Sequence, residues 1–217
     1  MTHTQQESSQ DQSGSSDHSI ILVGCDKDLL FDTRHLSSRV LGYTAKQRRA
    51  DIPYNYLGEV QSLRIEEKNV RLLVTVDDIA LRKWILTQFP DRLFTYVSPR
   101  ATVSPDATIS AGTVIQSGCF ISSGCSVSTL VKVNVGCQIH HDSSVLACSV
   151  LAPGVTLLGH TKIGQGSYIG SRVVIREKTS VGDNCFIGMG SVVVKSIPRD
   201  TLAYGNPCRT KPTPQLP

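Results

Sequence analysis

Aromatic side chains make up only 6% of this 217-residue chain, with a single tryptophan. So few rings exclude a core organised around them and leave room for a narrow aliphatic one. No apolar run approaches the ~20 residues that a bilayer-spanning helix requires, and the polar start lacks the charged-then-apolar order of a secretory leader. A cytoplasmic protein with no membrane span is therefore the expectation. The net charge is +4, without a dense Lys/Arg block carrying interleaved aromatics, which argues against nucleic acid as a partner. Seven cysteines are present, yet none shows CxxC or Cys/His zinc spacing, so no metal site is expected.

What the chain does have is a period. Every sixth residue from Val97 to Val193 is aliphatic, seventeen positions in succession. Four places after each of them stands a residue that is small or no larger than valine, with Ile197 as the exception. Neither an α-helix nor an ordinary strand repeats every six residues. A parallel β-helix does, because short strands stack coil on coil and each aliphatic side chain rests on its equivalent in the next coil. Cys119, Cys125, Cys137 and Cys185 fall in the small-residue register and read as apolar fillers.

Upstream, residues 1–18 are Ser, Gln, Asp and Gly with little that is apolar, and are expected to be disordered. Ser19 to Val23, Val40 to Thr44 and Val70 to Val76 read as strands. Asp28 to Arg39 and Ile79 to Phe89 read as helices. Alternation of this kind over residues 19–96 predicts a small α/β domain with a parallel sheet. The repeat domain is then placed at 97–198 and a terminal tail at 199–217. The first turn, Gly24-Cys25-Asp26-Lys27-Asp28, has no GxGxxG, and two carboxylates stand where an anion would sit. Whether that turn is a ligand site or a degenerate scaffold stays open at this point.

Titratable residues are scarce in the repeat until Ile139-His140-His141-Asp142. The register puts His141 and Asp142 at a turn, outside the aliphatic column. An imidazole beside a carboxylate, held by rigid coils, can serve as a general base or be a solvated surface pair, and spacing alone does not decide. His140, His141 and His160 have no zinc-ligand spacing, and His160 reads as surface.

From about Ser98 to Lys211 the chain resembles the hexapeptide-repeat acyltransferases, which fold as a left-handed β-helix. The ending Gly188 to Lys195, then Ile197-Pro198 and Gly205 to Arg209, is similar to that superfamily's terminal signature. The order of parts resembles, more narrowly, the sialic acid O-acetyltransferase and bacillosamine-pathway sugar N-acetyltransferase family. Leu57-Gly58, Val76-Asp77-Asp78 with Arg82, and Ser98 to Val103 fit its spacing. The resemblance implies a small Rossmann-like α/β N-terminal domain followed by a left-handed parallel β-helix. It implies His141 as catalytic base, Asp142 as its acidic neighbour, and Gly159 as the backbone donor to the oxyanion. Asn134 is implied in the same cleft, and Asp26, Lys27, Asp77 and Arg82 at the sugar substrate. Ser171, Met189 and Gly190 would line the acetyl-CoA channel, and Val150, which stands where many members carry a second His contacting the acyl donor, would be a fourth residue at the donor.

The resemblance further implies a homotrimer, with each cleft between neighbouring β-helices. The activity expected is acetyl transfer from acetyl-CoA, without a metal, to an amino or hydroxyl group of a sugar, with a nucleotide-linked sugar as the expected acceptor. A non-catalytic β-helix that binds a nucleotide sugar or assembles a complex is the alternative. A serine acetyltransferase-like role stands further off, because the helical N-terminal domain of those enzymes is absent.

Overall fold

The computed structural model describes residues 18–211. The amino-terminal stretch expected to be disordered lies, up to residue 17, outside the described residues, as do residues 212–217.

Three strands, β1 (Ser19–Val23), β2 (Val40–Thr44) and β3 (Val70–Val74), form a parallel sheet in the order β2-β1-β3. Two α-helices accompany it, α1 (Lys27–Asp32) and α2 (Ile79–Gln88). The helix expected over 28–39 is cut short at Asp32. Thr33, with φ −91° and ψ 6°, still donates its N–H and hydroxyl to the Leu29 carbonyl, but beyond it the bonding shortens to three residues, Leu36 N–H to the Thr33 carbonyl, and Arg34–Arg39 continues as a 3-10 helix. Gly24 turns the chain out of β1 with φ +96°, and a Cβ there would meet Val76 Cγ1 at 2.4 Å. Only glycine fits so close an approach at positive φ.

The repeat forms two-residue strands at six-residue intervals from Tyr96–Val97 to Val192–Val193. Each pairs in parallel with strands eighteen residues away, as Val133 does with Ile115 and Leu151. Three hexads therefore make one coil, and the coils stack into three sheets around an aliphatic column. Ile115, Val133, Leu151, Ile169 and Ile187 form one row of that column, and all are fully buried. Val97 is the exception at 40% exposed, because the first coil has none beneath it. Coils join through turns whose third residue after the aliphatic position adopts a left-handed backbone. Glycine takes that place in many coils, and Asp142 (φ +57°) and His160 (φ +58°) take it in two.

Residues expected as a tail from 199 onward are folded up to Lys211. Leu202–Tyr204 pairs in parallel with the strand Phe186–Ile187, and Arg209–Lys211 returns antiparallel to it. Ala203 and Cys208, both buried, close that end of the column, which makes burial the reason for the added strands.

The α/β unit lies against the outward row Tyr96, Val114, Lys132 and Val150 of one sheet, all buried. Arg82 on α2 crosses the junction. Its guanidinium donates to the Leu130 carbonyl at 2.8 and 3.1 Å and to the Val76 carbonyl at 2.7 Å. Among the described residues no helix is long and apolar enough to cross a membrane.

Candidate functional site

The corner that follows the strand Gln138–Ile139 gathers titratable side chains from two coils. His141 and Asp142 project from its turn, and the residues stacked on them come from the next coil, eighteen positions on. Gly159 lies over His141 and His160 over Asp142. Because strands in such a stack are about 4.8 Å apart, these pairs are forced into contact. His141 Nδ1 lies 2.9 Å from Asp142 Oδ2. A carboxylate only accepts, so the ring must donate from Nδ1 and keep its lone pair on Nε2.

Space for the ring is provided by Gly159. A Cβ built there would stand 2.6 Å from both Nε2 and Cε1 of His141. The Gly159 N–H has no acceptor among the described residues, leaving an unengaged backbone donor on the residue that packs against the His141 ring. Beneath the pair, a Cβ on Gly124 would meet Asp142 Oδ1 at 2.6 Å. Two glycines thus bracket one imidazole and one carboxylate. His141 is 56% exposed, so the ring stands in the open at the corner.

His160, read as surface from the sequence, belongs to this group. Its Nε2 is 3.7 Å from Asp142 Oδ2, and its ring meets that of His141 edge-on, centroids 5.1 Å apart. A period of six could not reveal this neighbour; the eighteen-residue coil does.

Other expected residues lie elsewhere. Asn134 is buried at the neighbouring corner, where its side-chain amide donates to the Leu151 carbonyl at 2.8 Å. Within one chain it does not share a cleft with His141. Ser171, Met189 and Gly190 do come together at that neighbouring corner. Gly190 N–H donates to the Ser171 carbonyl at 2.8 Å, and Met189 is 81% exposed beside them.

Two assignments are corrected. Val150 was expected to touch an acyl donor, yet it is fully buried, because strand alternation turns it outward into the row covered by the α/β unit. Arg82 was expected at a sugar substrate. It too has no exposure, and its donors are engaged by the carbonyls that tie α2 to the repeat. Burial lowers its pKa to about 10, so it remains charged at neutral pH.

In the first turn, Asp26 fills the helix N-terminus itself. Its Oδ1 accepts from the N–H groups of Asp28 at 3.0 Å and Leu29 at 3.1 Å, the donors an anion would have used. Its Oδ2 pairs with Lys132, whose ammonium also reaches Asp77 Oδ1 and the Thr75 carbonyl at 2.7 Å. Lys27 points away and pairs with Asp51 at 2.7 Å. The space in this unit opens instead at the carboxyl ends of the strands, where Gly24, Thr44, Lys46, Glu59, Gln61 and Asp78 help to line a cavity of about 240 Å³. Parallel sheets bind ligands at such ends. That rule would have pointed to Lys46 and Asp78, which sequence reading did not single out as ligand residues.

Residues 160–195 match the family model described as bacterial transferase hexapeptide (six repeats). The acetyltransferase domain of PglB from Neisseria gonorrhoeae FA1090, solved in complex with acetyl coenzyme A, is similar with a TM-score of 0.81 at 25% identity, covering 90% of this chain and 100% of that one. A mutant of perosamine N-acetyltransferase from Caulobacter crescentus, solved with CoA and GDP-perosamine, gives 0.80 at 23% identity, covering 90% and 97%. At that identity the likeness is one of fold. Galactoside O-acetyltransferase of Escherichia coli (strain K12) is 51% identical over 47 residues, which are 22% of this chain and 23% of its own length. The chain thus spans about a quarter of the length of the curated relatives it matches.

Proposed function

We propose, on the premise that the chain carries the bacterial transferase hexapeptide repeat, that it transfers an acetyl group from acetyl-CoA to an amino or hydroxyl group of a nucleotide-linked sugar. The observation that carries this reading is the His141–Asp142–Gly159 group. Asp142 holds Nδ1 and fixes the tautomer, so Nε2 can take the proton from the acceptor's attacking group. The carboxylate then stabilises the imidazolium. The Gly159 N–H, which has no acceptor among the described residues, would receive negative charge as it builds on the thioester carbonyl, a role suited to a fixed backbone donor. The thioester is itself the activated group, so residues that position both substrates in line supply the rest.

The corner bearing Ser171, Met189 and Gly190 supports binding of the donor, because an exposed apolar side chain stands there beside backbone groups. Since this corner and the His141 corner lie on different edges of the β-helix, they would meet between neighbouring chains. A head-to-tail contact between unlike surfaces can close into a ring, and the homotrimer that the family resemblance implies is the ring taken here. The α/β unit, Rossmann-like in its β2-β1-β3 order, would take the nucleotide in the cavity at its strand ends. The solved relatives bound to acetyl coenzyme A, or to CoA and GDP-perosamine, support the substrate classes.

The test is release of free thiol from acetyl-CoA with UDP-, GDP- and dTDP-linked amino sugars and sialic acid as acceptors. Turnover with a nucleotide-linked sugar is expected. Binding of acetyl-CoA without thiol release across the panel would instead favour a non-catalytic sugar-binding β-helix.

A further inference from the structure

The coil that creates the proposed base also assembles three ligand types that divalent transition metals favour. Nδ1 or Nε2 of His141 and His160 and a carboxylate oxygen of Asp142 all lie within 4.8 Å of one another. We propose that this corner binds a zinc-type divalent ion, and that the bound ion switches the proposed acetyl transfer off. The ion site stands on geometry alone; the inhibitory part rests on the reading of His141 as base.

Imidazole and carboxylate ligands bind zinc at about 2.0–2.2 Å, and a tetrahedral arrangement then separates neighbouring ligand atoms by about 3.4 Å. The two measured separations, 2.9 Å for His141 Nδ1 to Asp142 Oδ2 and 3.7 Å for His160 Nε2 to Asp142 Oδ2, fall on either side of that value. Small rotations of three side chains, each about half exposed, bring them to it. The backbone beneath is fixed by ladder bonds, among them His160 N–H to the His141 carbonyl at 2.9 Å and Asp142 N–H to the Ser123 carbonyl at 3.0 Å. Gly124 and Gly159 keep the space below and above free of a Cβ. A fourth position faces solvent and would hold water.

An ion between Nδ1 and Asp142 replaces the hydrogen bond that sets the tautomer. The Nδ1 lone pair goes to the metal, the ring proton moves to Nε2, and His141 can no longer accept a proton there. Asp142 is engaged by the same ion. Zinc is therefore an inhibitor here and takes no part in the reaction.

Untagged, chelator-treated full-length protein is titrated with zinc chloride by calorimetry, in parallel with His160→Ala. One equivalent per chain at micromolar concentration, weakened at least tenfold in the variant, is expected. Equal affinity in the two proteins, or no binding up to millimolar zinc, overturns the site. In the thiol-release assay zinc should inhibit the parent reversibly with EDTA, and His160→Ala, each rate taken relative to its own metal-free rate, should need at least tenfold more zinc for the same fractional inhibition. Binding at this site without inhibition overturns the switch. A metal-free protein that binds zinc through His160 yet releases no thiol would refute the acetyl-transfer reading and leave the ion site standing.

Discussion

In the β-helix a residue's neighbours are found by adding eighteen to its number, whereas in the α/β unit they come from irregular distances, as Ile21 lies between Gly42 and Leu72. The column of the repeat is filled by one aliphatic residue per hexad, so its corners are free to carry polar groups at little cost to the core. His141, Asp142 and His160 stand there about half exposed. In the α/β unit and its junction, by contrast, polar groups hold the parts together. Asp26 caps a helix, Arg82 satisfies buried carbonyls, and Lys132 bridges two carboxylates. Residues of similar chemistry thus remain available in one region and are engaged in the other.

Cutting each core tests that contrast most strongly. Ile169→Ala in the column and Leu73→Ala in the sheet, both at fully buried positions, should each cost about 2–5 kcal/mol in denaturant unfolding. Hydrogen exchange should separate them. Protection is expected to fall mainly in the coils next to Ile169, as in a quasi-one-dimensional stack, but throughout the α/β unit for Leu73. Uniform loss across the repeat would contradict the comparison.

Gly159→Ala should act on chemistry and spare the fold. Its backbone needs no positive φ, so the added Cβ displaces only the His141 ring. A catalytic group moved by about 1 Å can lose about 100-fold in rate, and the thiol-release assay should show a fall of that size with the melting temperature nearly unchanged. A normal rate would mean that the ring position over Gly159 is irrelevant to turnover.

Lys132→Met probes the junction. Hydrogen bonds to charged groups contribute about 1.5–3 kcal/mol, and the loss should lie near the lower end because Asp77 is 45% exposed. Calorimetry should show the α/β unit melting ahead of the repeat. A single unshifted transition would show that the bridge contributes nothing.

The smallest effect is expected at Asp106. Its carboxyl is pushed down to about 2 from an ordinary 3.8 by the hydroxyls of Ser104 and Ser123 and the Gly124 N–H. A depressed carboxyl stabilises the fold above its unfolded value, and that contribution is lost as pH falls through about 2. Asp106→Asn should therefore flatten the decline in stability between about pH 4 and pH 2. Melting curves with the same slope in both proteins would contradict this.

Legibility followed the same division. The six-residue period located every strand from Val97 to Val193, since each position obeys one local rule. β1 and β2 matched their apolar runs, because short buried strands are bounded by their own composition. What escaped depended on contacts beyond the period. His160 meets Asp142 only through the coil closure. Val150 and Arg82 were misassigned because only the docked α/β unit shows that both are covered. The helix from 28 was overextended because the backbone tightens at Thr33 to three-residue bonding, a change its composition does not announce.

The most direct measurement compares thiol release by the parent protein and His141→Ala on the same nucleotide-linked acceptor, with acetyl-CoA binding followed alongside. The account predicts a loss of at least ~100-fold in turnover, the scale of general base removal, with acetyl-CoA bound as before. Turnover by His141→Ala at the parent's rate would contradict it.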